Sequence, residues 1–204
     1  IQISDVAVER LVYLDRLPLE GDGVVEFGTV ANTFSDLTEN GFEVDNIAVD
    51  FSFDGDYLYL DNPSETVTIL NTGLYFDTIG EALEVAVSGD IVLVAERLGG
   101  YVENVAIPAG VSLEGGYTNT DWSRDIQRYQ TIIYPKAGLN VVPGIDAILY
   151  MNENSSFSGF FIDGQDLETV IYVENTTGVE IMHNYIDHCD NAITFFNASG
   201  EIYN

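Results

Sequence analysis

The chain has 204 residues, of which 34 are acidic and 6 are basic, so its formal net charge is −28. This balance argues against nucleic acid and anionic membrane surfaces as partners, because both attract lysine and arginine. Hydrophobic residues make up 46% of the chain, which is enough for a packed core, and no apolar stretch is long enough to predict a membrane span.

The number of cysteines indicates the cellular compartment in which the protein works. Cys189 is the one cysteine, so no disulfide can form within the chain. A secreted eukaryotic domain usually carries more cysteines, whereas a prokaryotic surface protein need not. We therefore expect an extracellular or cell-surface protein of a prokaryote.

Residues 1–73 are rich in strand signals. Val49, Phe51 and Phe53 alternate with polar residues, which predicts a half-buried strand. Asp54-Gly55 follows as a tight-turn signal. The sequence predicts a small antiparallel sheet or sandwich-like module over residues 1–73, separate from residues 74–204.

Four carboxylates gather around this turn: Asp50, Asp54, Asp56 and Asp61. Calcium prefers several carboxylate and carbonyl oxygens. However, the spacing does not match an EF-hand loop, and Asp-Gly is ordinary hairpin chemistry. Two alternatives stay open, a calcium site and an acidic turn without a ligand; no other cofactor is predicted.

Residues 77–87 carry the clearest helix signal. Thr78 and Glu81 form a capping box, and Ile79 and Leu83 begin an apolar stripe. We expect a helix over residues 77–87 that covers the first unit of the repeats that follow.

Residues 147–204 contain a repeat. Ile148, Ile171 and Ile193 occupy equivalent positions in three similar segments, at spacings of 23 and 22 residues. A fixed period of this size indicates a repeat architecture. Each unit fits three short strands joined by turns, so the repeat predicts a parallel β-helix, a solenoid that buries a narrow apolar core.

Asparagines end the three repeated segments. Asn152, Asn175 and Asn197 lie where the strands are expected to stop. Stacked asparagines can form a hydrogen-bonded ladder and tolerate left-handed backbone, so we expect a structural role. Asn154 begins a glycosylation tripeptide beyond its ladder position and is the candidate acceptor.

Several motifs in residues 74–204 match one family. They are Gly89-Asp90-Ile91-Val92-Leu93-Val94-Ala95, Leu113-Glu114-Gly115-Gly116-Tyr117, Arg124-Asp125, Ser158-Gly159-Phe160-Phe161-Ile162 and Ile181-Met182-His183-Asn184-Tyr185-Ile186. Together they resemble the N-terminal part of secreted right-handed parallel β-helix repeat proteins of the pectate-lyase-like superfamily. The resemblance implies an all-β, right-handed β-helix with the 77–87 helix as its N-terminal cap, and an Arg124-Asp125 pair that anchors a loop. Lyases, hydrolases, adhesins and structural surface proteins share this fold.

Asp163 and Asp187 are the candidate catalytic residues. They follow equivalent strand segments 24 residues apart, and stacking would bring their carboxylates to roughly 5 Å. Such a pair can share a proton, bind a cation or act as a glycosidase pair. The alternative is a pair of solvated turn residues, because Asp163-Gly164 is a common turn dipeptide.

His183, His188 and Cys189 form a second cluster. A histidine with a cysteine is a candidate metal or thiol site. The three lack the spacing of a zinc site, so a buried, inert Cys189 is the competing interpretation.

Residues 137–204 contain no lysine or arginine. A lyase acting on a uronate needs a cation near the sugar carboxylate, so a polyuronate fits poorly. The sequence favours a non-enzymatic structural or adhesive surface protein, with a polysaccharide lyase or glycoside hydrolase as the alternative and carbohydrate as a partner.

The last residues, 201–204, fall within a predicted coil. An uncapped coil leaves strand edges unpaired. We expect either further coils or a covering molecule there, through self-association into a filament or contact with neighbouring surface proteins.

Overall fold

The computed structural model describes the backbone of residues 10–12, 24–27, 30–33, 42–44, 47–53 and 58–61. It describes backbone and side chains of residues 65–70, 72–97, 99–138 and 144–203. The chain forms two compact units, one of residues 1–63 with 97–99 and one of residues 64–96 with 100–204. The domain boundary expected after residue 73 stays a prediction.

The described strands of the first unit pair in antiparallel fashion. They are β1 (Arg10–Val12), β2 (Val24–Phe27), β3 (Val30–Thr33), β4 (Phe42–Val44), β5 (Ile47–Phe53) and β6 (Leu58–Asp61). One sheet has the order β1-β6-β5-β4, and β2 with β3 forms a separate hairpin. The alternating segment around Phe51 is β5, and β6, which follows the Asp54-Gly55 turn signal in the sequence, pairs with it in antiparallel fashion.

The second unit contains a mixed sheet with the order β19-β17-β15-β12-β9-β7-β8. Its strands are β7 (Val67–Ile69), β8 (Leu74–Phe76), β9 (Ile91–Ala95), β12 (Ser112–Tyr117), β15 (Ser156–Ser158), β17 (Val179–Met182) and β19 (Gly200–Tyr203). Strand β7 runs antiparallel to both neighbours, and the strands from β9 to β19 are parallel.

A curled parallel sheet is the second layer of this unit. Its strands are β10 (Tyr101–Val102), β11 (Val105–Ile107), β13 (Thr131–Tyr134), β14 (Leu149–Met151), β16 (Phe160–Glu174) and β18 (Tyr185–Phe196). The first part of β16 pairs with β13 and its last part with β14, while β18 follows β16 on the other side. Because one long strand spans two sets of partners, the sheet curls.

The predicted right-handed parallel β-helix is therefore wrong. The second unit pairs a mixed sheet, with an antiparallel edge, with a curled parallel half-barrel, and it has one helix among its described residues. The alternative interpretation of the Asp163 and Asp187 pair placed a turn at Asp163-Gly164. Strand β16 continues through both residues, and its register with β18 shifts between Asp163 and Leu167. A β-carbon on Gly164 would lie 2.8 Å from the His188 carbonyl oxygen, so this glycine permits close strand approach.

The repeat marks the register of the parallel strands. Leu149, Ile171 and Ile193 are successive partners, which corresponds to a spacing of 22 residues at both steps. The repeat in the sequence instead matches Ile148 with Ile171, which differs by one residue from the observed register. Ile148 and Leu149 are both fully buried, so apolar character could not distinguish the two registers. A shift of one residue moves a strand's side chains to the opposite face.

The helix α1 spans Ile79–Val85, within the predicted 77–87 range. The Thr78 hydroxyl accepts a hydrogen bond from the Glu81 backbone N–H at 3.2 Å, as the capping box predicts. The Glu103 carboxylate also accepts bonds from the N–H groups of Ile79 and Gly80, at 3.1 and 2.8 Å. An anion is favourable at this end because the first N–H groups lack helical partners.

One apolar core lies between the two sheets and under α1. The helix contributes Ile79, Ala82 and Leu83. The largest fully buried side chains are Tyr101, Phe157, Ile69, Ile79, Ile107, Leu113, Ile133, Ile148 and Leu149. Inward and outward residues alternate along β13, where Thr131 and Ile133 are buried. The outward residues of the parallel sheet are thereby presented to solvent.

Candidate functional site

A groove of about 450 Å³ lies along the outside of the parallel sheet. Strands β13, β16 and β18 form its floor. Its lining residues are Ile126, Gln127, Gln130, Thr131, Gly159, Phe160, Phe161, His183, Asn184 and Tyr185. Apolar surface with a few polar groups is typical of ligand sites.

Two stacked aromatic rings, the half-buried Phe161 and the exposed Tyr185, form an aromatic platform in this groove. Phe161 and Tyr185 are register partners on β16 and β18. Their ring centroids are 4.6 Å apart with an interplanar angle of 17°, and Tyr185 is 55% exposed. A stacked pair with an open face offers a flat apolar surface, and the tyrosine hydroxyl adds a polar group.

The loop that forms one wall is held by Arg124. Its guanidinium donates to the Ser158 hydroxyl at 2.8 Å and to the Gly115 carbonyl at 3.0 Å, and it pairs with Glu114 at 3.2 Å. It also lies 5.4 Å from the Tyr117 ring centroid. Arg124 thus anchors the loop, which is the role that the resemblance implies for it. The anchored loop contributes Gln127 to the groove lining.

His183 and Asn184 also line the groove. The Asn184 side chain accepts from the Phe160 N–H at 2.9 Å and donates to the Phe157 carbonyl at 3.0 Å. His183 adopts a left-handed backbone with φ 52°, and its side chain is exposed. Asn184 therefore fixes this part of the lining, while the His183 imidazole faces the groove and the solvent.

Asp163 and Asp187 are brought together as predicted, because they are register partners on β16 and β18. They lie two residues beyond Phe161 and Tyr185, on the same outward face. Asp163 accepts from the Gln165 N–H at 3.1 Å and contacts His188 Nδ1 at 3.2 Å. Whether either residue is catalytic stays a prediction.

Local donors keep one of the two carboxylates ionised. Asp187 accepts from the His188 N–H at 2.8 Å and from the Tyr185 hydroxyl at 3.3 Å. The backbone hydrogen bond from His188 is the largest cause that lowers the pKa of Asp187. A general acid needs a raised pKa, so Asp187 is better suited to accept hydrogen bonds or to attract a cation.

The second predicted cluster does not assemble a metal site. Within the residues whose side chains are described, no group of three or more His, Cys, Asp or Glu is placed to hold a metal ion. Cys189 is a partly buried free thiol. Burial, followed by the charges of Asp187 and Asp190, raises its pKa, so the reactive thiolate is disfavoured.

The ladder asparagines take different positions. Asn197 donates to the Asn175 side-chain oxygen at 2.8 Å, and both have left-handed backbone, with φ 48° and 50°. Asn152 instead donates to the Ile107 carbonyl at 2.8 Å. Asn154, the candidate glycosylation site, is exposed with φ 54°, and its modification stays a prediction.

The calcium hypothesis falls largely outside the described residues. Asp50 and Asp61 are backbone partners on β5 and β6. Asp54 and Asp56 lie outside the described part of the chain. Calcium binding at this turn stays a prediction.

Sequence reasoning did not single out the aromatic platform or the two groove glutamines. Phe161 and Tyr185 stand 24 residues apart, the spacing of Asp163 and Asp187. The repeat spacing therefore also marked these two aromatic residues, which lie two residues before Asp163 and Asp187 on the same strands. Gln127 and Gln130 come from an irregular loop, whose placement depends on the Arg124 anchor and has no periodic signal.

None of three comparisons returned a match: no family model, no curated protein and no solved structure is significantly similar to this chain. The pectate-lyase-like resemblance thus has no support from these comparisons. Across the described residues, no helix has the length and apolar character needed to cross a bilayer.

Proposed function

We propose that this protein is a non-catalytic adhesive protein that binds carbohydrate through the groove on its parallel sheet. The stacked Phe161–Tyr185 platform carries the proposal. A pyranose ring has an apolar C–H face that packs on such a platform, and hydroxyl groups around its edge that need hydrogen-bond partners. The groove combines both requirements.

The polar residues of the groove fit hydroxyl groups. Gln127 and Gln130 line one side, and a carboxamide supplies both a donor and an acceptor, as a sugar hydroxyl requires. His183 contributes an exposed imidazole to the same groove.

A polysaccharide lyase or glycoside hydrolase is the second candidate, favoured by the register pairing of Asp163 and Asp187. The lowered pKa of Asp187 disfavours this residue as a general acid, whereas an ionised carboxylate suits a nucleophile or a general base. Cleavage of an oligosaccharide that Asp163→Asn abolishes would establish the enzymatic alternative.

The setting of this activity is also part of the proposal. A surface location in a prokaryote is supported by the acidic composition and the single cysteine. Self-association, or contact with neighbouring surface proteins, is supported by the exposed Phe196 and Ile202 on the outermost strands β18 and β19, both 57% exposed. Outer strands with apolar side chains favour pairing with other chains.

Calorimetric titration with soluble hexasaccharides tests the carbohydrate proposal. The panel contains hexamers of glucose, mannose, N-acetylglucosamine and galacturonic acid. We expect binding of at least one neutral hexamer, and loss of at least tenfold in its affinity in Tyr185→Ala, about the effect of removing one stacked ring.

Phe196→Ala is the matched control, because Phe196 lies on the same strand with nearly the same exposure, 57% against 55%, and outside the groove. Its affinity should equal that of the wild type. Absence of binding to every neutral hexamer, or equal losses in both variants, would refute the proposal.

A further inference from the structure

A second hollow of about 380 Å³ adjoins the groove. We call it the side hollow, and its lining residues are Arg124, Asp125, Ile126, Gln127 and His183. Three of them, Ile126, Gln127 and His183, also line the groove. The two spaces therefore meet at these three residues, and a ligand that passes from one space into the other contacts them.

Gln127 and His183 present exposed polar side chains at this junction. Within the described part of the chain, neither side chain makes a hydrogen bond or an ion pair, and only their backbone N–H groups are engaged. Arg124 and Asn184, in contrast, use their side chains to hold the loop and the strands. The carboxamide of Gln127 and the imidazole of His183 thus keep a donor and an acceptor for a ligand.

The backbone at residue 183 also points to a role for its side chain. Gly159 is the equivalent residue one strand earlier, because Ser158 and Met182 are register partners. Both residues have left-handed backbone, with φ +82° at Gly159 and 52° at His183. Glycine adopts this backbone without strain, whereas a residue with a β-carbon does not. Strained backbone of this kind is concentrated at ligand sites.

We propose that the side hollow is a second sugar subsite, so that the ligand is an oligosaccharide of two or more units, with one unit in the groove and the next in the side hollow. This inference rests on the proposed function and specifies the size of the ligand. His183 and Gln127 bind hydroxyl groups on either side of the glycosidic bond that joins the two units.

The charged residues of the side hollow suit a neutral sugar. Arg124 pairs with Glu114 at 3.2 Å, and Asp125 accepts from the N–H groups of Gln127 and Arg128 at 3.0 and 3.2 Å. The guanidinium and the carboxylate have opposite charges and are already engaged, so a charged substituent gains little from either. A sugar hydroxyl both donates and accepts, which matches a carboxamide and an imidazole.

Titration with ligands of two lengths tests the inference. The ligands are the methyl glycosides and the dimers of glucose, mannose and N-acetylglucosamine. For a sugar that binds, we expect the dimer to bind about tenfold more tightly than the methyl glycoside, the gain from about two added hydrogen bonds. The chain has two histidines, so NMR can follow both imidazoles. The dimer should shift the signals of His183 and leave those of His188 unchanged.

His183→Gly removes the imidazole and suits the left-handed backbone. We expect this variant to lose most of the gain in affinity from methyl glycoside to dimer. His188→Gly is the matched control, because His188 is also exposed, has a similar φ of 49° and lines neither space. The gain should persist in His188→Gly.

Equal affinities of the methyl glycoside and the dimer, or equal loss of the gain in the two glycine variants, would overturn the inference. Binding of a neutral hexamer without binding of its dimer would overturn it too. In each of these cases the carbohydrate proposal stands if Tyr185→Ala still weakens the binding of the hexamer. Absence of binding to every neutral sugar, hexamers included, would refute both.

Discussion

At the scale of single residues, two charged side chains of the second unit organise the backbone around them. Glu103 binds two N–H groups at the start of α1, and Arg124 ties a loop to two strands. Hydrogen bonds that involve an ionised group are stronger than neutral ones. These residues therefore determine where the walls of the groove and the helix lie.

Glu103→Gln tests the anchor of α1. The substitution removes the negative charge and one acceptor beside the helix N-terminus, so we expect the free energy of unfolding to fall by about 1 kcal/mol. Glu84→Gln is the control, because Glu84 lies exposed on the same helix. Chemical denaturation of both variants would measure the difference, and equal stabilities would contradict the anchoring role.

The raised pKa of Tyr117 predicts that the protein loses stability at alkaline pH. Burial, and then its hydrogen bond to Glu114, raise the pKa of Tyr117 from 10.0 to about 12. A raised folded-state pKa means that the contribution is present below pH 10 and is lost as the pH rises towards 12. Tyr117→Phe cannot ionise, so its stability should fall less than that of the wild type over this range. Parallel pH profiles of unfolding would contradict the assignment.

The neighbouring positions of Asp163 and Asp187 could be predicted from the sequence, whereas the register of Asn152 and the placement of the groove glutamines could not. The adjacency of Asp163 and Asp187 followed from their spacing, because equivalent positions on parallel strands are neighbours. Asn152 was misaligned by one residue, since buried apolar residues at both 148 and 149 hid the register. The groove glutamines belong to a loop whose path depends on tertiary contacts.

At the scale of elements, the long strands β16 and β18 account for the difference between the predicted solenoid of short strands and the observed curled sheet. The capping box at Thr78 predicted the helix because it is a local signal. The turn signal at Asp163-Gly164 was overridden, because strand β18 approaches Gly164 closely. Local dipeptide preference cannot report such a contact between strands distant in sequence.

Close backbone approach also predicts the effect of a glycine substitution. A β-carbon on Gly159 would lie 2.6 Å from the Gly115 carbonyl oxygen, and its φ is +82°. Gly144 has a similar φ of +84° but nothing within 4 Å of such an atom. We expect Gly144→Ala to cost about 1 kcal/mol for the backbone alone and Gly159→Ala about 3 kcal/mol, because steric overlap adds to it.

Thermal unfolding of the two glycine variants separates these contributions. Both alanines meet the same unfavourable backbone region, so the difference between their unfolding free energies reports the close approach of Gly159 to Gly115 on β12. Gly159 also lines the groove, and Gly159→Ala is expected to weaken ligand binding as well. Equal destabilisation of the two variants would show that the strands can separate without cost.

At the scale of the whole molecule, a net charge of −28 coexists with an aromatic groove. A net negative charge of this size disfavours polyanions as partners, whereas contact with the stacked rings does not depend on charge. The parallel sheet brings the two rings together, because its side chains repeat at each strand on one outward face. The exclusion of polyanions stays a prediction from composition, and the groove could be found only from the fold.

We propose that Phe161 and Tyr185 bind a sugar ring, and NMR can test this contact directly. The aromatic ring signals of the protein would be followed during titration with the hexamer of N-acetylglucosamine. We expect saturable shifts of the Phe161 and Tyr185 rings and none of Phe196. Unchanged Phe161 and Tyr185 signals with this hexamer and with the neutral glucose and mannose hexamers, or shifts centred on Phe196, would contradict it.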